Sequence, residues 1–165
     1  RKQSYRNRTR ILAANGILDL TVPVKSTKGI PTPINKIEIS YAENWPLNHW
    51  RSIQSAYKAA PFFEEFEEDI KKIIFSETMF LSDLNKLIIN KIAELMDFEK
   101  AIRYVSEHKT PENIFDLCAD FKPGKEPDYH SQLSPYLQVF NYKFGFTPNL
   151  SILDWLFNEG PGVMP

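Results

Sequence analysis

Hydrophobic and polar residues alternate in the first quarter of the chain, as is typical of β-strands. Apolar residues occupy every second position over residues 18–24, which is the period of a strand with one buried face. The dipeptide Asn15-Gly16 stands just before this stretch and favours a type I′ turn. The sequence therefore predicts a hairpin over residues 10–24, and a second alternation predicts a third strand over residues 37–41.

Residues 44–74 have the pattern of two helices separated by a proline. Pro61 ends the first helix, because proline has no amide hydrogen to donate and restricts the residue before it. The second helix is amphipathic and is predicted to pack on the core. A third helix, capped by Ser82, is predicted to run to about residue 97 with an apolar stripe that is also assigned to the core. The apolar face of the second helix comprises Phe62, Phe66, Ile70, Ile73 and Ile74.

The rest of the chain is predicted as a series of shorter elements. These are a short strand over residues 101–106, a helix over 110–120, a proline-containing loop over 122–135 and an extended piece over 136–140. Asn149 is predicted to cap a final helix that ends at Gly160. The predicted fold is α+β, with a small β-sheet (hairpin plus additional strands) covered by a cluster of helices. A chain of 165 residues supports a single domain over 1–165.

Composition narrows the classes of function. The net charge is -1, so no general attraction to nucleic acid is expected. No apolar run is long enough to predict a membrane span. The single cysteine, Cys118, forms no internal disulfide and is interpreted as a small buried residue. These features predict a cytoplasmic protein with no nucleic-acid partner.

Common catalytic and cofactor motifs are absent from the sequence. It contains no GxGxxG, P-loop, GxSxG or paired CxxC pattern. The histidines, His49, His108 and His130, are far apart along the chain and do not form a helical ligand pair. Neither a metal nor a cofactor is predicted.

The first helix differs in composition from the other predicted helices. His49, Ile53 and Tyr57 are spaced four apart and share one side. Polar groups cost free energy in a core unless they are paired, so this side is predicted to line a ligand cleft. The basic start of the chain, residues 1–10, is either an anion site or a solvated terminus.

Three segments together resemble one protein family. They are SYRNRTRILAANGILDLTVPV at 4–24, ENWPLNHWRSIQSAYKAAPFFEEF at 43–66 and YLQVFNYKFGFTPNLSILDWLFNEGP at 136–161. Their order and spacing resemble the WbqC-like proteins of bacteria, in a branch common among Bacteroidetes-type organisms. Members of that family usually begin further upstream, so the resemblance implies that the natural N-terminus is missing here.

The resemblance also implies a pathway. Genes of this family often occur in clusters for surface polysaccharides of the O-antigen type. The family is associated with transfer of acyl or aminoacyl groups to amino sugars on nucleotide carriers. The expected partner is therefore a small molecule, a nucleotide sugar. A non-catalytic binding or scaffold protein of the same pathway is the alternative, and the sequence leaves both enzymatic activity and oligomeric state open.

Candidate site residues follow from side-chain chemistry. His49 is the predicted general base, because its pKa lies near working pH, and a hydrogen-bonded structural role is its alternative. Arginines are predicted to bind a diphosphate, tryptophans to stack on a sugar or base, and amides to bind hydroxyl groups; core packing is the alternative for the tryptophans. The predicted substrate-binding residues are Arg8, Arg10, Asn44, Trp45, Trp50, Gln54, Tyr57, Asn149 and Asp154.

Overall fold

The computed structural model of the protein describes residues 5–26, 29, 31–98, 102–104 and 134–162. The predicted helix over 110–120 with Cys118, and most of the loop over 122–135, lie outside these residues. Of the strand predicted over 101–106, residues 102–104 are described and have no regular secondary structure. In the described part of the chain, no helix is long and apolar enough to cross a membrane.

The hairpin is confirmed, with a different turn. Strands β1 (Arg8–Ala13) and β2 (Gly16–Thr21) pair antiparallel, with Ala13 opposite Gly16. This register leaves Ala14 and Asn15 as the loop. Only Gly16 has a positive φ, at 109°, whereas a type I′ turn needs two such residues. The type I′ prediction is therefore wrong, because the glycine after the loop supplies the left-handed conformation instead.

The third predicted strand is an extended segment joined to its neighbours by single bridges. Ile39 bridges Val24, and Glu38 bridges Phe80, while the sheet of the described residues has two strands. Pro23 has no amide hydrogen, which limits pairing along this edge. A short 3-10 helix, Ile34–Lys36, precedes the segment. The α+β class is confirmed, and the additional strand contributes only these bridges.

Helices α1 (Trp45–Tyr57) and α2 (Phe63–Ile74) form as predicted on either side of Pro61. The Asn44 side chain accepts a hydrogen bond from the Leu47 amide at 3.3 Å and caps α1. Helix α2 buries Phe66, Ile70 and Ile73 of its predicted apolar face. Phe62 and Ile74 are only partly buried, and Phe63 is buried instead. Helix α1 packs on β1 and α2 packs on α1, so buried residues of the hairpin and of both helices join one hydrophobic cluster.

Helix α3 (Leu81–Leu95) differs from its prediction at its start and in its burial. Phe80, rather than Ser82, is the N-cap, because its bridge to Glu38 holds it in extended backbone. The helix buries only Leu81 and Leu84. Leu87, Ile88 and Ile89 are each more than a third exposed. The assignment of the stripe to the core is therefore wrong for Leu87 and Ile88. It is correct for the buried Leu84, while Ile92, Leu95 and Met96 pack against the core and are partly buried.

The end of the described chain contains α4 (Asn141–Phe144) and α5 (Ile152–Glu159). Ser151 caps α5 by accepting a hydrogen bond from the Leu153 amide at 3.3 Å. The predicted cap, Asn149, lies two residues earlier with a φ of 61°. Gly160 ends the helix at a φ of 83°, as predicted, and residues 136–138 have no regular structure.

Two hydrophobic clusters form the interior. The larger cluster joins the hairpin, α1, α2 and α5. The smaller cluster comprises Ile39, Trp45, Ile73, Leu81 and Leu84. Residues from both clusters meet along α1 and α2, and a cavity lies at this junction.

Candidate functional site

A cavity of about 430 Å³ lies where the two clusters meet. Its walls come from the start of β1, the end of β2, helices α1 to α3 and the residues around the start of α5. The volume is in the range of small-molecule sites, which are mostly apolar with a few placed polar groups. The apolar lining residues are Leu20, Val22, Ile53, Ile70, Ile73, Ile74, Leu84, Ile88, Ile92, Leu150, Ile152 and Leu153.

The polar groups of the cavity lie mainly on two elements. The first strand and the turn before it contribute one set, and α1 contributes another, so three of the predicted site residues come together. These three are Arg8, Trp45 and His49. The polar and aromatic lining residues are Tyr5, Arg6, Asn7, Arg8, Thr9, Trp45, His49, Asn85 and Ser151.

Arg8 is held in place by a carboxylate on the neighbouring strand. Its Nη1 lies 3.2 Å from Asp19 Oδ2, and its side chain is only 9% exposed. Arg10 Nε lies 3.4 Å from the other oxygen of Asp19, so the two arginines share one face, as residues two apart in a strand do. The Arg8 Nε is buried and has no hydrogen-bond partner among the described residues.

Trp45 and His49 form the α1 part of the wall. Their ring centroids are 5.0 Å apart in an edge-on arrangement, as expected for residues four apart on one helix. Trp45 is 5% exposed, and Tyr41 packs against it at 5.7 Å. The Trp45 Nε1 is buried and, like the Arg8 Nε, lacks a partner in the described part of the chain.

The environment of His49 favours the neutral imidazole. Burial lowers its pKa below 6.5, and a hydrogen bond to the Thr21 backbone partly opposes that shift. A neutral imidazole has one donor and one acceptor nitrogen. If the donor is used on Thr21, the other nitrogen is left to accept a proton, as a general base requires.

Arg10 and Asn149 lie beside this cavity rather than in it. They line a second space of about 120 Å³ that shares Tyr5, Thr9 and Leu150 with the large cavity. Arg10 also lies over the Tyr5 ring, with 5.6 Å from its guanidinium carbon to the ring centre. The predicted diphosphate pair is thus divided between two adjoining spaces.

The remaining five predicted residues line neither cavity, and three of them have separate positions on or beside α1. Trp50 is 6% exposed and stacks on Phe63 at 6.2 Å, which is the packing alternative stated for the tryptophans. Asn44 is exposed and caps α1. Gln54 is half-buried on α1, outside the residues that line the cavities.

Tyr57 and Asp154 belong to a closed polar cluster in the core. Asp154 accepts from Tyr57 at 2.9 Å, from Tyr136 at 2.6 Å and from Gln138 at 2.8 Å. Burial raises the pKa of the carboxyl group, while the three hydrogen bonds lower it. Tyr57 is 1% exposed and does not line the cavity that His49 lines, so the prediction that the two residues share a cleft is wrong, although both lie on α1.

Sequence reasoning did not identify several of the residues that build these sites. Tyr136 and Gln138 lie far in sequence from Tyr57, and nothing in their local pattern marks them as its partners. Asn85, on the side of α3 that also carries Ile88 and Ile92, lines the large cavity and donates to the Arg6 carbonyl at 2.9 Å. In the described residues, no three His, Cys, Asp or Glu side chains come together as metal ligands.

Comparison of the sequence with known proteins shows the family of the chain. The model of the WbqC-like protein family matches residues 1–125, so the chain belongs to the WbqC-like protein family. This confirms the resemblance drawn from the sequence. The cavity residues on the hairpin and on α1 to α3 lie within the match, whereas residues 150–153 lie beyond it.

One relative is similar along almost the whole chain. It is the Uncharacterized protein Rv1507c of Mycobacterium tuberculosis (strain ATCC 25618 / H37Rv), 28% identical over 185 residues. The alignment covers 96% of this chain and 79% of the relative. No solved structure matches the chain significantly. The comparisons therefore establish the family, and the activity has to be inferred from the site.

Proposed function

We propose that the large cavity binds a small-molecule substrate and that the protein acts in bacterial surface-polysaccharide biosynthesis of the O-antigen type. The proposed reaction transfers an acyl or aminoacyl group to an amino sugar carried on a nucleotide. The observation that carries this proposal is the meeting of Arg8, Trp45 and His49 in one largely apolar cavity. Membership of the WbqC-like family supports the proposed pathway, because genes of this family often occur in surface-polysaccharide clusters.

Transfer of the acyl group to the amine requires one residue that accepts and returns a proton. The amine nitrogen of the sugar forms a bond to the acyl carbon, and the bond from that carbon to the donor's leaving group breaks. The neutral His49 accepts the amine's proton and returns it to the leaving group. Arg8, or Arg10 in the adjoining space, is suited to a phosphate oxygen through its guanidinium fork.

A non-catalytic binding protein of the same pathway is the second candidate. The largely aliphatic lining favours it, because such walls hold a ligand by burial of apolar surface rather than by reacting groups. Ser151, a hydroxyl residue of the cavity, already accepts the Leu153 amide as a helix cap. His49 is therefore the residue that separates the two candidates.

The test is a binding and product screen with a His49 variant. Nucleotide-linked amino sugars, acyl thioesters and oligonucleotides are compared by thermal shift, and ligand pairs that stabilise are incubated and analysed by mass spectrometry. We expect an acylated sugar nucleotide, and at least about tenfold less of it with His49→Ala, equivalent to about 1.4 kcal/mol. Ligand binding without product, unchanged by the substitution, would support the binding protein instead.

Paired arginine variants locate the phosphate contact. Arg8→Lys keeps the charge but loses the fork, so it should weaken nucleotide-sugar binding if Arg8 holds the diphosphate. Arg10→Lys is the matched control at the smaller space. Equal affinities for wild type, Arg8→Lys and Arg8→Ala would count against a phosphate role at Arg8.

A further inference from the structure

The large cavity and the smaller space beside it have basic side chains in their lining. Arg6 and Arg8 line the first, and Arg10 lines the second. Among the described residues that line either space there is no Asp or Glu. Asp19 pairs with Arg8 at 3.2 Å and with Arg10 at 3.4 Å, which offsets part of their charge, but it lines neither space. A cationic group of a ligand would therefore meet no carboxylate in this lining.

Helices α2 and α3 give the large cavity an aliphatic wall. A charged or strongly polar group moved from water against such a wall loses hydration without gaining hydrogen bonds. A hydrocarbon group moved there is stabilised by leaving water. The aliphatic side chains of this wall are Ile70, Ile73 and Ile74 of α2 and Leu84, Ile88 and Ile92 of α3.

The proposed function leaves two kinds of transferred group open, and the two differ in charge. An aminoacyl group has an ammonium on the carbon beside its carbonyl, because α-amino groups lose their proton only near about pH 8. A plain aliphatic acyl group has a hydrogen atom in that place. A charge that leaves water is stable only where it is paired, so the lining described above favours the uncharged group.

We propose that the large cavity binds a neutral aliphatic acyl group and discriminates against aminoacyl groups. The hydrocarbon part of the acyl group packs against the wall formed by α2 and α3. The discrimination comes from basic side chains in a lining that has no carboxylate among the described residues. The inference rests on the proposed function in using the same cavity, and it names the class of group to be transferred. It does not require transfer to occur.

The test compares two stable ligands that differ only at one carbon atom. They are the N-ethylamides of 4-methylpentanoic acid and of leucine, in which the amide stands in for the ester or thioester of an acyl donor. Isothermal titration calorimetry at pH 6.5, where the leucine amine is charged, should give a Kd at least about tenfold lower for the uncharged amide. The difference should become smaller at pH 9, where most of the leucine amide is neutral.

Two substitutions on α3 test the role of charge. Asn85 lines the large cavity, and Asn85→Asp adds a carboxylate of nearly the same shape there. It should tighten binding of the leucine amide at pH 6.5 by about fivefold or more. The variant also loses the donation to the Arg6 carbonyl, but that loss is common to both ligands. Asn90 is exposed on the same helix and lines neither space, so Asn90→Asp is the matched control and should not change the preference.

A second pair of variants tests whether the ligand lies in the cavity. Ile92→Phe places a larger side chain in the lining and should weaken binding of the uncharged amide about tenfold. Ile89→Phe makes the same change at a position that is 46% exposed and outside the lining, and should leave binding unchanged. Each pair remains informative if the lining variant of the other pair does not fold.

The outcomes separate this inference from the proposed function. Equal or tighter binding of the leucine amide at pH 6.5 would overturn the inference and leave the proposed function standing with an aminoacyl group. Nucleotide sugars that bind while neither amide does would also overturn the inference alone. The expected preference, without any acylated product in the product screen, would support the inference and remove the transferase. Binding of the uncharged amide that Ile92→Phe does not weaken would overturn its placement in the cavity.

Discussion

Helix α1 takes part in two buried polar groupings that differ in whether their hydrogen-bond donors have partners. Toward its end, Tyr57 donates to Asp154, whose carboxylate oxygens accept three hydrogen bonds. Toward its start, Trp45 lines the large cavity with an indole N–H that has no partner in the described structure. The polar side chains of the first grouping are paired with one another, whereas the buried Trp45 N–H of the second has no partner among the described residues.

The difference separates a structural role from a proposed binding role. A polar cluster in which every group is paired fixes the packing of the elements that supply it. Here the pairing ties α1 to α5 and to the segment that carries Tyr136 and Gln138. Donors left unpaired beside a cavity lower stability unless a ligand satisfies them. Loss of a group should therefore affect folding in the first case and binding in the second.

The largest expected effect is on folding, from Asp154→Ala. The substitution removes the acceptor of the Tyr57 and Tyr136 hydroxyls, whereas Gln138 loses one hydrogen bond and keeps its donation to the Thr147 carbonyl. We expect the free energy of unfolding to fall by about 4 kcal/mol, since each stranded donor costs roughly 1–3 kcal/mol and part of this is relieved by water entry. Urea denaturation followed by circular dichroism measures the change.

Asp83 provides the matched control. It is also in the first turn of a helix, but its side chain is 53% exposed and lies 3.9 Å from Lys86. Asp83→Ala should change the free energy of unfolding by less than about 1 kcal/mol. Similar losses for the two variants would show that the cluster around Asp154 has no special weight in the fold.

The next largest effect concerns alkaline pH. Burial and the neighbouring Asp154 raise the pKa of Tyr57 and of Tyr136 well above 10.0 in the folded protein. Above pH 10 the unfolded chain releases these protons while the folded chain keeps them, so stability falls as pH rises. Tyr57 should contribute up to about 1.4 kcal/mol per pH unit in this range, and the partly buried Tyr136 less because of solvent screening. Urea denaturation between pH 10 and 11.5 measures the slope.

Tyr57→Phe tests the source of that slope. The phenylalanine cannot ionise in either state, so the part of the slope due to Tyr57 disappears while that of Tyr136 remains. The variant also loses one hydrogen bond to Asp154. That loss lowers the free energy of unfolding by the same amount at every pH, so it does not affect the comparison of slopes. A slope equal to that of the wild type would assign the alkaline effect to other groups.

The sequence predicted elements well where the pattern is local. Alternation with Gly16 is enough for the hairpin, and Pro61 is enough to separate α1 from α2, because both depend on the backbone preferences of a few residues. Helix starts were less well predicted. Ser82 and Asn149 are favourable caps, but tertiary contacts at Phe80 and the hydroxyl of Ser151 determine where α3 and α5 begin.

Burial was predicted less well than secondary structure. Helix α3 has the more regular apolar stripe, yet Leu87, Ile88 and Ile89 are partly exposed. Helix α1 is rich in polar residues, yet it buries six positions, among them Tyr57. A hydrophobic pattern indicates which face is apolar, whereas the extent of its burial depends on what packs against it. The partners of Tyr57 come from distant parts of the sequence.

The candidate site was predictable only in part for the same reason. Residue chemistry selected Arg8, Trp45 and His49, which line the cavity. The same chemistry selected Trp50, which packs in the core, and Asn44, which caps a helix. Side-chain type states what a residue is able to bind, but the choice between a ligand and an internal partner is made by tertiary contacts.

The smallest expected effect concerns His49 at mildly acidic pH. Its pKa is lowered in the folded protein by burial, so the unfolded chain binds a proton more readily below pH 6.5. Stability due to His49 is therefore present above pH 6.5 and is lost as pH falls toward the lowered folded value. Because the ring is only half-buried, solvent screening limits the loss to about 0.5 kcal/mol or less.

His49→Gln isolates this contribution, because the amide keeps a hydrogen-bond donor and does not titrate near pH 6. The free energies of unfolding of wild type and variant are compared at pH 7.5 and at pH 5.0. The difference between the two proteins should be smaller at pH 5.0 than at pH 7.5, or should change sign. Asp154 has the opposite dependence, since its raised pKa favours the folded state as pH falls, and it is common to both proteins. A difference that is constant with pH would mean that His49 has the same pKa in the folded and unfolded states.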